Sequence, residues 1–219
     1  MNAYRDRLMA LDTCTVSDAL DALGLPGAVP GVLPVWEGSK LAGRVVTMRT
    51  GPARGHTSHR HLGTAAIERA GPGDVIVIEQ VGGGSATSAT WGGLLALAAS
   101  LRQLGGVVID GACRDIDEIR ELGLPVSARA VLPFTARGRF VEEAVGEPVV
   151  IGEVTVAEDD FVIADGSGAA FIDAARIADV LIRAEQLAAR ERLMAEDLQR
   201  GSLPSDVLGR HYEEMLHGR

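Results

Sequence analysis

The sequence predicts an α/β fold, and three observations carry that prediction. Two short, continuous, β-branched runs, VIVIE at 75–79 and GVVID at 106–110, read as buried strands, and a helical pattern separates them. Beyond Pro133 the pattern changes to short strands and turns, a compact β subregion of barrel-like character. A long helical stretch at 174–199 follows it. Strands separated by helices of this length argue a layered core.

Taken in order, residues 3–11 form a first helical pattern. A second begins at Thr15-Val16-Ser17-Asp18, where Thr15 or Ser17 suits a cap, runs through Ala19, Leu20 and Leu23, and stops at Gly24. Pro26, Pro30 and Pro34 then enforce an extended segment. Gly43 to Thr50 reads as a strand, Ile67 to Ala70 closes a helix, and Gly71-Pro72-Gly73-Asp74 is a turn into the 75–79 strand. Trp91, Leu94, Leu95, Ala98 and Leu101 recur at helical spacing, predicting an amphipathic helix over 91–103. A helix at 114–122 ends on Gly123, and 125–130 is a further strand. Strands are expected at 149–156, 161–165 and 168–172, and a last helix at 206–216. The organisation expected is one α/β domain over 1–175, with 176–219 a helical extension packing on it or on a neighbouring subunit.

Composition narrows the function classes. The 219 residues suffice for one domain with a real core. A net charge of −9 repels phosphates, which argues against direct nucleic-acid or anionic-membrane binding. No stretch approaches the roughly 20 apolar residues of a membrane span, and the first residues lack the apolar run of a signal peptide. Cys14 and Cys113 show no zinc-site spacing, so a soluble, reduced, cytoplasmic protein is expected.

The chemistry concentrates in Trp91 to Glu121. Gly92-Gly93 opens a helix, a buried strand follows, Asp110-Gly111 sits at its carboxyl end, and Arg114-Asp115 starts the next helix. Ligands of α/β sheets gather beyond the carboxyl ends of strands, and helix N-termini suit carboxylates or phosphates. Arg114 can hold a carboxylate in two parallel hydrogen bonds, and Asp115 is a hard oxygen ligand suited to Mg²⁺ or Mn²⁺. Glu118, three residues on, is placed to reach a metal-bound water. The same residues also fit an ordinary structural role. Acids favour the first turn of any helix, and Arg114–Glu118 is an unremarkable i,i+4 pair.

The stretch resembles the family of RraA-like proteins and class II 4-hydroxy-4-methyl-2-oxoglutarate aldolases. Bacterial members show Gly, twenty residues, Arg-Asp, two residues, then Glu or Asp; here these are Gly93, Arg114, Asp115 and Glu118. TCTVSDALDALG at 13–24, PGDVIVIE at 72–79, GVVIDG and DEIRELGLPV match as well, so the likeness covers about residues 13–175. It implies an α/β/α fold around a β-barrel-like core, assembled as a homotrimer or a dimer of trimers with sites between subunits. It implies a divalent metal, Mg²⁺ or Mn²⁺, and cleavage or decarboxylation of 2-oxo acids to pyruvate. Carried over, Asp115 is the direct metal ligand and Arg114 holds the oxo and carboxylate oxygens. The backbone at Gly92, Gly93, Leu94 and Leu95 cradles the carboxylate. Established aldolases of the family tend to carry an acid where this chain has Gly93, which leaves decarboxylation the less demanding of the two reactions. RraA proper inhibits an endoribonuclease by protein–protein contact, so a non-enzymatic regulator of ribonuclease activity is the alternative.

Other residues invite chemistry more weakly. His56, His59 and His61 share a polar loop with no carboxylate nearby in sequence. Gly82-Gly83-Gly84-Ser85 lacks the Lys of a P-loop and reads as an edge of the acid site. Glu191, near the apolar stripe of Ile177, Val180, Leu181 and Ala184, either pairs with an Arg or reaches a neighbour's metal waters. Cys113 reads as a packing residue. Arg129, Arg137 and Arg139 either bind a second substrate carboxylate or decorate the surface.

Overall fold

A run such as Val75 to Ile78 lacks polar alternation when both faces of its strand are covered. That is the arrangement in the computed structural model, which describes residues 3–55, 60–82 and 87–209. The chain opens with helices α1 (Ala3–Met9) and α2 (Thr13–Ala22), then short strands β1 (Ala28–Val29) and β2 (Leu33–Pro34) and the long β3 (Leu41–Pro52). Helix α3 (Thr64–Arg69), β4 (Val75–Gln80), α4 (Gly93–Leu101), β5 (Gly106–Cys113), α5 (Ile116–Glu121) and β6 (Val126–Val131) alternate through the middle. Then come β7 (Phe140–Val145), β8 (Val149–Ile151), β9 (Val154–Val156), β10 (Phe161–Asp165), β11 (Gly168–Ile172), α6 (Ile177–Gln199) and α7 (Pro204–Val207).

The main sheet runs in the order β1-β11-β10-β3-β4-β5-β6-β2. β3 to β6 are parallel, and the flanking pairs β10–β3, β10–β11, β1–β11 and β2–β6 are antiparallel. One end of this path is β1 and the other is β2, yet only Pro30, Gly31 and Val32 separate them in the chain. Gly31 turns there at φ +77°, a conformation that favours glycine. So short a link draws the two edges together and curls the sheet into a barrel-like core. The expected α/β/α arrangement around such a core is the one found.

Period-two alternation then sorts the side chains. Val45, Val75, Val77, Val108 and Val162 point inward to one apolar cluster. On the outside, Met48, Ile76, Ile78, Val107 and Ile109 pack under α3, α4 and α5. Ala42, Phe161, Ile163, Ala170 and Ile172 pack under α1, α2 and the first half of α6, which contributes Val180, Leu181, Ala184 and Leu187. No helix among the described residues is long and apolar enough to cross a membrane.

Several element boundaries differ from expectation. Asp12, rather than Thr15 or Ser17, caps α2, its Oδ1 accepting from Thr15 N at 2.8 Å; Thr15 is already inside the first turn. The 149–156 segment is a hairpin turning at Gly152 (φ +60°), not one strand. β7 pairs with the far half of β3 and was not read from the sequence, because its FVEEAV is polar and half-buried. The helix expected at 114–122 starts only at Ile116. Of the last helix, only Pro204–Val207 is described, and 210–216 lies outside the described residues.

Helix α4 departs in a more telling way. Its core side is Leu95, Ala96 and Ala99, and the two alanines let the helix sit close on the sheet. Leu94 and Leu101, expected on the buried stripe, are 83% and 77% exposed, with Leu97 beside them. The helix is apolar all round, which is usual where both sides are covered.

Where α6 passes α2, like charges meet. Burial, then Asp12 and Asp18, push the Glu191 carboxyl above its ordinary value of 4.5. Burial, then Asp21 and Asp12, do the same to Asp18. Glu191 forms no ion pair with an Arg among the described residues, so the pairing expected from sequence is absent there. A carboxyl with a raised folded-state value stabilises the fold below its unfolded value, and loses that contribution as pH rises through the raised one. Glu191→Gln is therefore expected to raise Tm at neutral pH, with the gain vanishing below about pH 4; a pH series of thermal melts checks it.

Candidate active site

Near its carboxyl end β5 is interrupted by a bulge, and the interruption builds the site. The pairing of β5 with β6 shifts register between Ile109 and Ala112, a bulge that contains Gly111. A Cβ at Gly111 would collide with Gln80, which is buried at the end of β4. The Gln80 amide accepts from Ala112 N at 3.0 Å and donates to Ser88 O at 2.9 Å. It therefore ties β4, the bulge and the segment before α4 together. Thr90 N then donates to Ala112 O (2.9 Å), and Arg114 N donates to Trp91 O (3.0 Å). These bonds lay residues 90–91 alongside 112–113 and bring Gly92-Gly93 against Arg114-Asp115.

Asp115 holds the junction. It adopts the left-handed conformation (φ +59°, ψ +43°), which Asp tolerates better than most residues. Its side chain does not cap its own helix. Instead Oδ2 accepts from Gly93 N at 3.0 Å and from Arg114 Nε at 3.1 Å. Oδ1 has no hydrogen bond among the described residues. The Arg114 and Asp115 side chains remain 38% and 32% exposed, so both are open to a ligand.

Glycine at 92 and 93 is a matter of space here rather than of φ. A Cβ at Gly92 would lie 2.7 Å from Asp115 Oδ2, and one at Gly93 would overlap Glu118 Oε2. The Glu118 carboxylate thus occupies the volume that a side chain at position 93 would claim. Leu94 and Leu95 follow in the first turn of α4, where amides have no intrahelical carbonyl to bond. The Gly93 amide, by contrast, already donates to Asp115.

A cavity of about 770 Å³ opens over Gly92 to Leu95, Arg114, Asp115 and Glu118. All seven site residues expected from the sequence line it. Its further walls come from His61 and Leu62, from Arg137 in the turn before β7, and from Phe140 and Val141 of β7. Gln80, Thr90 and the β7 wall were missed; only Gly111, a glycine inside a strand pattern, signalled the bulge.

Other expected residues sort clearly. His61 lines the cavity, its Nδ1 2.8 Å from Leu62 O, while His56 and His59 lie outside the described residues. Of the glycine-rich run only Gly82 is described. Cys113 is fully buried and its thiol is pushed up to about 12 by burial, which suits packing and not nucleophilic attack. Arg129 is committed to Asp110 and Pro30 O, and Asp110 also accepts from Gly152 N at 2.6 Å. Both residues brace strands and stand apart from the cavity lining.

The family model for RraA-like proteins, Aldolase/RraA, matches residues 13–170. The chain belongs to the RraA-like family. It is 33% identical over 145 residues to the 4-hydroxy-4-methyl-2-oxoglutarate aldolase of Thermus thermophilus, covering 64% of this chain and 81% of that protein. It is 28% identical over 175 residues to Protein DlpA of Legionella pneumophila, covering 80% of this chain but only 28% of that protein's length. Among solved structures it is similar to Streptomyces coelicolor RraAS2, described as an unusual member of the RNase ES inhibitor RraA protein family. The TM-score is 0.77 at 25% identity, over 92% of this chain and 98% of that one.

Proposed function

We propose that this RraA-like chain is a divalent-metal-dependent lyase that cleaves or decarboxylates small 2-oxo acids to pyruvate. The observation that supports this best is the convergence of Arg114, Asp115 and Glu118 on Gly93 at the floor of an open cavity. The donor set fits the metal. Mg²⁺ binds through one or two carboxylates and keeps waters or substrate for the rest of its shell. Asp115 would hold the cation through Oδ1, and Glu118 would reach it through water. When bound, the cation supplies a Lewis acid for the enolate charge left as the carbon–carbon bond breaks.

The chain's own groups do the rest. Arg114 keeps both terminal nitrogens for the oxo and carboxylate oxygens while Asp115 fixes its Nε. The amides of Leu94 and Leu95 receive the carboxylate at a helix N-terminus. Glu118 is the base placed to take the 4-hydroxyl proton in an aldol cleavage, directly or through one water. Oxaloacetate decarboxylation needs no such base.

The test is pyruvate release from oxaloacetate and from 4-hydroxy-4-methyl-2-oxoglutarate with Mg²⁺ or Mn²⁺, repeated with EDTA. Turnover above the metal-only control that EDTA abolishes is expected. None for either acid would refute the substrates proposed.

The reading includes assembly as a homotrimer or a dimer of trimers, supported by the outward leucines of α4 beside the cavity mouth. Leu94→Glu with Leu101→Glu is expected to shift the protein to smaller species in light scattering after size exclusion. An unchanged mass would remove α4 from the interface. The likeness to RraAS2 favours a second reading, a regulator that binds a ribonuclease. Pull-down of ribonuclease by an Asp115→Ala variant would separate binding from catalysis.

A further inference from the structure

The structure separates three arginines that the sequence left equivalent. Arg129 is locked to Asp110 beneath the barrel rim. Arg139 donates to Thr135 O at 2.9 Å and lies over the Phe134 ring, 5.6 Å from its centroid. Arg137 alone of the three lines the cavity, and its guanidinium makes no ion pair among the described residues.

The turn that presents it is firmly braced. Arg137 N donates to Thr135 Oγ1 at 3.2 Å. Arg139 N and Phe140 N donate to Ala136 O at 2.8 and 2.9 Å, with Gly138 at φ +73° between them. Ala89 N donates to Phe134 O (2.8 Å) and Ala53 N to Arg139 O (2.7 Å), which pins the turn to the segment before α4 and to the strand end at β3. Such bracing places a cation on the wall contributed by the β7 turn, apart from the Gly93–Asp115 floor. A cavity of this size also exceeds what pyruvate alone requires and falls within the range that takes larger ligands.

We infer that Arg137 is the specificity residue of this site, receiving the distal carboxylate of a dicarboxylic 2-oxo acid whose reacting end lies at Arg114 and Gly93. The inference rests on the lyase reading above and adds the residue that reads the second carboxylate of its substrates. An arginine with no ion pair, in a chain of net charge −9, is a selective place to accept a second negative charge. The planar guanidinium adds geometry that an ammonium lacks. Arg137 is a positioning residue for the aldol substrate: it bonds the carboxylate on C4, which stays intact while C3–C4 breaks.

The experiment is calorimetric binding of two unreactive ligands, pyruvate and 2-oxoglutarate, to the full chain with Mg²⁺. The native protein is expected to bind 2-oxoglutarate about tenfold tighter than pyruvate, the scale of one charge-assisted contact. Arg137→Ala should erase that preference and leave pyruvate binding unchanged, and Arg137→Lys should restore part of it. With 4-hydroxy-4-methyl-2-oxoglutarate, whose distal carboxylate does not react, Arg137→Ala should raise KM while kcat holds. Equal affinities in the native protein, or an Arg137→Ala variant that keeps the preference or weakens both ligands alike, would overturn the inference and leave the lyase reading standing. Binding of neither ligand by the native protein would overturn both.

Discussion

Asp115→Asn is expected to lower metal-dependent pyruvate release by more than about a hundredfold while leaving the melting temperature nearly unchanged. Loss of an outer-shell group around a metal already costs about 10–100-fold, so loss of the direct ligand proposed at Asp115 should exceed that. Asparagine isolates the charge. Its amide oxygen can still accept from Gly93 N and Arg114 Nε, as Oδ2 does at 3.0 and 3.1 Å. It also tolerates the left-handed backbone at φ +59° as well as aspartate does. A fall in rate at constant stability would therefore report the lost carboxylate charge. If the variant instead retained activity within a few-fold, Asp115 would be a structural clasp and the metal would need another ligand.

Gly93→Ala is expected to remove as much aldol-cleavage activity as Glu118→Ala, and combining the two should cost little more than either alone. A methyl at position 93 would overlap Glu118 Oε2, and that carboxylate is the mobile end of its side chain. Displacement should thus be cheap for the fold and costly for the chemistry. For a proton-transferring group the loss is about 10²–10⁴-fold. Residues that share one volume do not add independently. Rates and melts of both single variants and the double variant form the cycle. Additive losses would show that Gly93 and Glu118 act separately. The same geometry explains the Gly-and-later-acid pattern: one carboxylate fills this volume, arriving here from α5 and not from position 93.

Much of this site was legible along the chain, for local reasons. Strands VIVIE and GVVID announced themselves because burial on both faces demands uninterrupted β-branched residues, and their tips mark where an α/β sheet binds ligands. The Gly93, Arg114, Asp115 and Glu118 spacing marked the cluster, and all four line one cavity. Reading failed where a residue's role depends on what lies across space. Leu94 and Leu101 fit a buried stripe by spacing, yet Ala96 and Ala99 won the core side because a close helix–sheet approach favours small residues. Asp115 looked like the first residue of a helix and proved to be a left-handed hinge whose carboxylate serves the neighbouring helix.

Arg129, Arg137 and Arg139 state the division most simply. Sequence alone determined that the chain folds as an α/β protein of this family, because apolar periodicity and motif spacing are properties of neighbours along the chain. It offered Arg129, Arg137 and Arg139 as equals, since a guanidinium's partner is chosen by distance in space. Only the tertiary structure decided among them. The barrel brought Asp110 to Arg129, the β7 turn laid Arg139 over Phe134, and the cavity was left with Arg137.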